Sequence, residues 1–398
     1  MSPDCPLPIL RATTPRADVS RLDDAWGAAA TFAYVPEQCP VGDDWLAGAL
    51  AHLPQDLRVG HYALLTSGST GQPKLVIGRR SDTEALTRVI HARQGLQSVQ
   101  ATVLALPLTY SYAFVNQWLW ARVHGAEVRS TLGLAQPRVL FEALRESGPS
   151  MLCLVGAQLP LLRSLLPAGE RFAHVHRLNF AGGAFPQNEL SWLAEVFPQA
   201  AVFNNYGCTE ALPRLCIRAA ADSQDPAWIG KPLDGVDLRV GPADALQFRS
   251  AYGAVAIAEG AGVRRLAEDA WIDTGDAGAQ DGAGWRLLGR QAEVFKRYGE
   301  KVSLPELLAT VRTCWSGGAA FYVEQSTGEP AHVLALAPAP DANQLRAILQ
   351  AFRARHRRPL WPARIEALPA LPLSANGKSD ARALAADPSR SVAWRQIG

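Results

Sequence analysis

The chain has 398 residues, 48% hydrophobic and 19% charged, with 39 Lys and Arg against 37 Asp and Glu. That balance suits a globular protein long enough for two or three domains with substantial cores. A net charge of +2 gives no global drive toward nucleic acid or anionic membranes. The longest apolar stretch, residues 151–166, is broken by Gly156, Gln158, Pro160 and Arg163 and is too short to span a bilayer, so no membrane insertion is predicted. Six cysteines, at 5, 39, 153, 208, 216 and 314, show neither CxxC spacing nor a Cys/His cluster for zinc, which fits a reducing cytosol. MSPDCPLPILRATTPR at the start has no basic segment followed by an apolar core, which predicts no signal peptide and a cytoplasmic protein.

Residues 1 to about 60 are weakly patterned and proline-containing. From there strands and helices are predicted to alternate. Strands are expected at 62–65 and 74–77, a helix at 82–93, and a strand buried on both faces at 101–108. A helix at 114–124, a strand at 126–129 and a helix at 137–147 follow. Next come a strand at 151–155, a helix at 159–166, a strand at 176–181, a helix at 187–196 and a strand at 201–205. This order predicts a mainly parallel α/β sheet with ligands beyond the carboxyl ends of its strands. From about 228 shorter strands (236–240, 253–258, 285–288) suggest a small β-rich subdomain. After Gly289-Arg290 a third texture, with helices near 305–314 and 341–356 and strands near 319–324 and 331–337, predicts a small α+β domain. Two domains are therefore expected, 1–289 and 290–398. The pair His174 and His176 shares one strand face, and without a third ligand it reads as structural.

Residues 66–74 read TSGSTGQPK. Glycines let backbone N–H groups approach an oxyanion, hydroxyls donate hydrogen bonds and the lysine adds charge. The P-loop pattern is nevertheless broken. Gly68 is followed five positions on by Pro73, which has no N–H, and Lys74 by Leu75, which has no hydroxyl for a metal. Further along, Asn204-Asn205-Tyr206-Gly207-Cys208-Thr209-Glu210 follows a predicted strand. It offers a ring to stack on a purine, a hydroxyl for a phosphate and a carboxylate for Mg²⁺, a cation that takes oxygen ligands. Asp273-Thr274-Gly275-Asp276 sets a carboxylate after a glycine turn. Gly289-Arg290 precedes Lys296, Gly299 and Glu306, and Asn376-Gly377-Lys378 precedes Arg382. Singly, each is explicable as turn chemistry.

Together and in this order, the motifs resemble those of the adenylate-forming (AMP-binding) superfamily: acyl-CoA synthetases, aryl-acid ligases and peptide-synthetase adenylation domains. The turn Gly182-Gly183-Ala184 and the segment DPAWIGKPLDGVDLRV at 225–240 add to the likeness, which runs from about residue 62 to 382. The resemblance implies an ATP- and Mg²⁺-dependent ligase. A carboxylate attacks the α-phosphate of ATP, pyrophosphate leaves, and the acyl-adenylate passes its acyl group to a thiol. Thr66, Ser67, Gly68, Ser69, Thr70, Gly71 and Lys74 would hold the β- and γ-phosphates. Tyr206 would stack on adenine, Thr209 would touch the α-phosphate and Glu210 would bind Mg²⁺. Gly183, Ala184, Asn205 and Gly207 would complete the nucleotide site, and Asp276 and Arg290 would bind the ribose. Lys378 would bridge the carboxylate and the α-phosphate, and Lys296 and Gly299 would line the thiol tunnel. The acceptor would be CoA or the phosphopantetheine of an acyl or aryl carrier protein.

Tyr110, Ser111, Tyr112 and Gly182 would line the acid pocket. Amino-acid-activating members place an aspartate where this chain has Ser111. A buried ammonium without a partner is costly, so a small non-amino carboxylic acid is expected. Tyr110, Tyr112 and Phe114 favour an aryl acid, unless they only pack the following helix. Two departures stand out. Only about 65 residues precede the loop, so part of the N-terminal subdomain is expected to be missing or rebuilt. Ala292 occupies the hinge position where the family has Asp or Lys. An enzyme that stops at the adenylate or passes it to an amine, and a non-catalytic nucleotide-binding scaffold, are the alternatives. The basic run Arg353, Arg355, His356, Arg357 and Arg358 reads as a solvated helix face or as a docking patch for a carrier protein or CoA.

Overall fold

Apolar strands buried on both faces set the architecture, and short loops at their carboxyl ends carry the polar motifs. The structure, a computed structural model, describes residues 6–66, 73–95, 99–183, 185–259, 262–282, 284–324, 329–372 and 381–396. The chain divides into two compact units. One comprises Met1–Gly241, Leu246–Thr274 and Gln280–Arg286; the other comprises Pro242–Ala245, Gly275–Ala279 and Leu287–Gly398. The fold is mixed α/β, as expected.

In the first unit a six-stranded sheet runs in the order Ile9–Arg11, Phe32–Val35, His61–Thr66, Lys74–Arg79, Ala256–Glu259, Gly262–Arg265. Its first three strands are parallel and the rest antiparallel. Ahead of His61 this sheet's first two strands are accompanied by two helices, Pro15–Gly27 and Asp43–Ala51. Thr14 caps the first helix by accepting from the Ala17 amide, with Pro15 at its first position. Leu22 and Trp26 are buried by that helix. Trp26 packs against Phe32, Tyr62, Phe114 and Trp118 with ring centroids 5.1–6.3 Å apart.

The second sheet of this unit has a parallel core. Glu127–Arg129, Ala101–Val103, Ser150–Val155, Val175–Ala181 and Ala201–Tyr206 lie side by side in that order. The antiparallel strands Cys216–Ala219 and Trp228–Pro232 extend it. The apolar run 101–108 stays in the sheet only as far as Val103. Beyond it Leu104, Ala105, Leu106 and Leu108 remain buried outside the strand, although the Leu104 amide still donates to the Arg129 carbonyl at 2.9 Å. Thr131 Oγ1 donates to the Leu104 carbonyl at 2.5 Å. The following helical run, Ser111–Ala113, Phe114–Leu119 and Trp120–His124, contains a π-helical segment in its middle.

The second unit holds the hairpin Val294–Arg297 and Glu300–Ser303 and a four-stranded sheet of Gly318–Glu324, Ala331–Ala337, Arg364–Ala367 and Ser391–Arg395. Helices Leu304–Arg312 and Ala342–Arg355 cover it. Asp341 caps the second of these through the Asn343 and Gln344 amides. The hairpin turns at Tyr298 and Gly299, whose φ values of +48° and +79° suit a two-residue turn of primed type.

His332 is fully buried in this unit. Its Nε2 donates to the Leu360 carbonyl at 3.1 Å, so Nδ1 accepts from Arg297 Nη1 at 3.5 Å. Burial, and secondarily Arg297, push the imidazole down to about 4. The folded state therefore stays neutral where the unfolded chain takes up a proton. Stability is full above the ordinary histidine value near 6.5 and is lost as pH falls toward 4, by about 3 kcal/mol. Thermal melts across that window check this: the acid loss is expected in the wild type and absent in His332→Gln.

Candidate active site

Three segments leave the carboxyl ends of parallel strands in the second sheet: the turn after Ala101–Val103 that leads to Ser111, the Gly182-Gly183 turn, and the segment after Ala201–Tyr206. The last is shaped by steric necessity. A Cβ on Gly207 would lie 1.9 Å from the Pro213 carbonyl oxygen, so only glycine lets the returning chain pass. The chain reverses at Leu212, a non-glycine residue at φ +51°, whose amide bonds to the Thr209 carbonyl at 3.0 Å. Leu215 then pairs back to the Tyr206 carbonyl at 2.9 Å. Thr209 and Glu210 sit at the tip of this reversal. Glu210 is tied to the first sheet as well, since its carbonyl accepts from Ala254 N at 2.9 Å.

The sequence pieces meet here. Thr66 and Lys74 are cross-strand partners, so TSGSTGQPK closes a hairpin. A P-loop delivers its glycines into a helix; this loop joins two antiparallel strands, and Pro73 interrupts nothing. Lys74 Nζ lies 2.5 Å from Glu210 Oε1, the two side chains 14% and 16% exposed. Ser111 Oγ lies 3.4 Å from Thr209 Oγ1. The serine expected in the acid pocket and the threonine expected at the α-phosphate therefore touch, although 98 positions separate them. Asn205 Nδ2 donates to Asn179 Oδ1 at 3.1 Å and to the Phe180 carbonyl at 2.9 Å, fixing the strand end before Tyr206, itself buried. Gly182 has φ +82°, and a Cβ on Gly183 would meet nothing within 4 Å. Glu210 and the neighbouring Thr209 hydroxyl are the hard oxygen donors that Mg²⁺ takes.

Of the aromatics expected at the acid pocket, Tyr110 is 37% exposed and Phe114 fully buried. Phe114 stacks on Tyr62 at 5.3 Å and 17° and belongs to the core. Tyr112 is half-buried with its hydroxyl turned inward, and burial raises that hydroxyl well above the ordinary tyrosine range. Arg214 lies beside it, its guanidinium carbon 5.4 Å from the Tyr112 ring centre. Burial pushes that guanidinium down to about 10, and the nearby Cys153 thiol up to about 12. Sequence reasoning missed Arg214. The available signal was a lone cation in an apolar run, Ala211-Leu212-Pro213-Arg214-Leu215-Cys216, directly after a polar motif.

In the second unit Arg290 Nη1 bonds Asp276 Oδ1 at 3.1 Å, with Asp276 buried. Gly289 before it (φ +132°) packs so closely that a Cβ would lie 2.7 Å from Pro305 Cγ. Lys296 and Gly299 are exposed along the hairpin. The basic run is partly engaged within the unit. Arg355 donates to Thr313 Oγ1 at 2.9 Å, Arg357 pairs with Glu300 at 3.2 Å, and Arg353 lies over Trp361. Ser67, Gly68, Ser69, Thr70, Gly71, Ala184 and Lys378 fall outside the described residues, as does the side chain of Ala292.

A family model described as AMP-binding enzyme matches residues 42–253. The chain belongs to the AMP-binding enzyme family. Among curated relatives, the D-alanine–D-alanyl carrier protein ligase of Bacillus licheniformis is 26% identical over 279 residues, covering 62% of this chain and 53% of that protein. The non-ribosomal peptide synthetase CmlP of Streptomyces venezuelae is 26% identical over 362 residues, covering 85% of this chain and 35% of that one. The chain thus spans about half or less of the length of these family members. Among solved structures, the O-succinylbenzoate coenzyme A synthetase of Bacillus subtilis in complex with AMP superposes with a TM-score of 0.70 at 17% identity, covering 96% of this chain and 82% of that one. The anthranilate CoA ligase AuaEII in complex with anthranoyl-AMP gives 0.66 at 17%, covering 94% and 80%. At such identities these likenesses establish the family fold alone. No described helix is long and apolar enough to cross a membrane.

Proposed function

We propose that this protein is an ATP- and Mg²⁺-dependent acid–thiol ligase that adenylates a small non-amino carboxylic acid. The observation that carries the reading is the convergence of Ser111 on Thr209, with Lys74 and Glu210 paired alongside. An acid-pocket hydroxyl touches the residue assigned to the α-phosphate, where carboxylate and phosphate must meet in line. Glu210 would hold the metal, and Thr66 with Lys74 the leaving pyrophosphate. Tyr206 would stack on adenine, and Asp276 with Arg290 would take the ribose. The domain spanning 290–398 supplies Lys378 for adenylation and Lys296 and Gly299 for the thiol step. The acyl acceptor is the phosphopantetheine of a carrier protein or CoA. The relatives whose names include a carrier protein or a peptide synthetase favour the former as a first assay.

Several relatives are named for amino acids, D-alanine among them. Here Ser111 brings no negative charge, and the cation Arg214, buried beside Tyr112, repels an ammonium. This supports a non-amino acid, and the ring of Tyr112 leaves aryl acids in the panel. ATP–pyrophosphate exchange over aryl, aliphatic and amino acids tests the reading; folded protein that exchanges with none of them refutes it. Lys378→Ala is expected to lower exchange by about 100-fold or more while ATP binding survives. Wild-type exchange in that variant would remove Lys378 from its role.

A further inference from the structure

Arg214 is the least explained charge in the first unit. It is 1% exposed, and among the described residues no carboxylate lies within ion-pair distance of it. Its Nε and Nη2 have no hydrogen-bond partner, and neither has the buried hydroxyl of Tyr112, whose ring it faces. Cys153 and Cys216, its other close neighbours, are buried thiols, which offer little to a cation. Burying a cation and three donor groups without acceptors opposes folding. A planar fork of N–H donors in a low-dielectric setting is, by the same token, preorganised for a carboxylate.

The position is informative too. Tyr110 is exposed, Ser111 and Tyr112 are half-buried, and Arg214 is buried. Ser111 contacts Thr209, where the reacting carboxylate belongs under the adenylation reading. Arg214 lies five residues past Thr209 on the returning chain and faces the residue after Ser111. Ser111 thus faces the expected phosphate side, while the next residue, Tyr112, faces a buried cation.

We propose that the acid substrate is a dicarboxylic acid: one carboxylate is adenylated at Thr209, and the second pairs with Arg214 and the Tyr112 hydroxyl. This deepens the adenylation reading and rests on its placement of the reacting carboxylate. A mono-acid leaves the inner donors unsatisfied, as does an acid whose second carboxylate is esterified. A site built to hydrogen-bond a group discriminates strongly against analogues lacking it.

The test uses straight-chain dicarboxylates from malonate to adipate, phthalate and isophthalate, each beside its monomethyl ester. Binding is measured by isothermal titration calorimetry with Mg²⁺ and α,β-methylene-ATP present, and ATP–pyrophosphate exchange is run in parallel. At least one diacid is expected to bind wild-type protein about 100-fold or more tighter than its monoester. In Arg214→Met that ratio is expected to collapse to within about threefold, and the variant, relieved of a buried charge, melts no lower than wild type. Arg214→Lys keeps the charge without the fork and is expected to retain an intermediate ratio, which serves should the methionine variant not fold. No diacid preference in the wild type, or a preference that survives Arg214→Met, overturns the proposal. Exchange with mono-acids alone does so while upholding adenylation. Arg214-dependent diacid binding without any exchange upholds the pocket chemistry and refutes adenylation.

Discussion

Gly207→Ala is expected to cost about 3 kcal/mol of stability and to lower ATP–pyrophosphate exchange by about 100-fold or more. The added methyl would stand 1.9 Å from the Pro213 oxygen and 3.0 Å from the Arg214 Cα, all backbone with nowhere to go. Relief requires prising the returning chain away from the end of Ala201–Tyr206. That shift displaces Thr209 and Glu210 at the tip and Arg214 behind them. Thermal melting and exchange report the two effects. Gly48→Ala is the matched comparison: it lies inside the helix Asp43–Ala51 with no atom within 4 Å of a new Cβ. It is expected to stabilise by about 0.5 kcal/mol or more. Equal melting temperatures for the two variants would contradict the steric argument.

Glu210→Ala is expected to reduce exchange by about 100- to 1000-fold and to raise the Mg²⁺ concentration needed for half-maximal rate. Two functions are lost together. The oxygen donors assigned to the metal disappear, and Lys74, held at 2.5 Å by this carboxylate, loses the partner that orients it. Glu210→Gln keeps the shape but neither holds the ammonium as tightly nor serves Mg²⁺ as well, so a smaller loss of the same kind is expected. A Mg²⁺ titration that superposes on wild type in both variants would remove Glu210 from the metal site.

Much of the fold was legible because period and burial agree. The strands at Ser150–Val155, Val175–Ala181 and Ala201–Tyr206 are largely buried on both faces, with Arg177, Asn179, Asn204 and Asn205 among their apolar residues, and the turns that punctuate them carry glycine or polar motifs. Run 101–108 misleads because apolarity reports burial, not pairing. Leu104, Leu106 and Leu108 reach the core from a chain that has left the sheet. The N-terminal strands escaped notice because Ile9–Arg11 and Phe32–Val35 are only three and four residues long, too short for a period to register. At the site, motif spelling located Lys74, Ser111, Thr209 and Glu210 one by one. That Lys74 meets Glu210, and Ser111 meets Thr209, is a tertiary fact with no local trace. Arg214 was hidden for the opposite reason. Its surroundings look like core, and only the structure reveals that among the described residues its Nε and Nη2 find no acceptor.

The Lys74–Glu210 pair joins a strand of the six-stranded sheet to a turn of the parallel sheet. Under the proposed roles each partner has a second suitor, a phosphate for the lysine and a metal for the carboxylate. Whichever ligand arrives first must open the pair alone, and the second then finds its residue already released. Nucleotide and Mg²⁺ binding are thereby thermodynamically coupled through one ion pair, each tightening the other by the same factor.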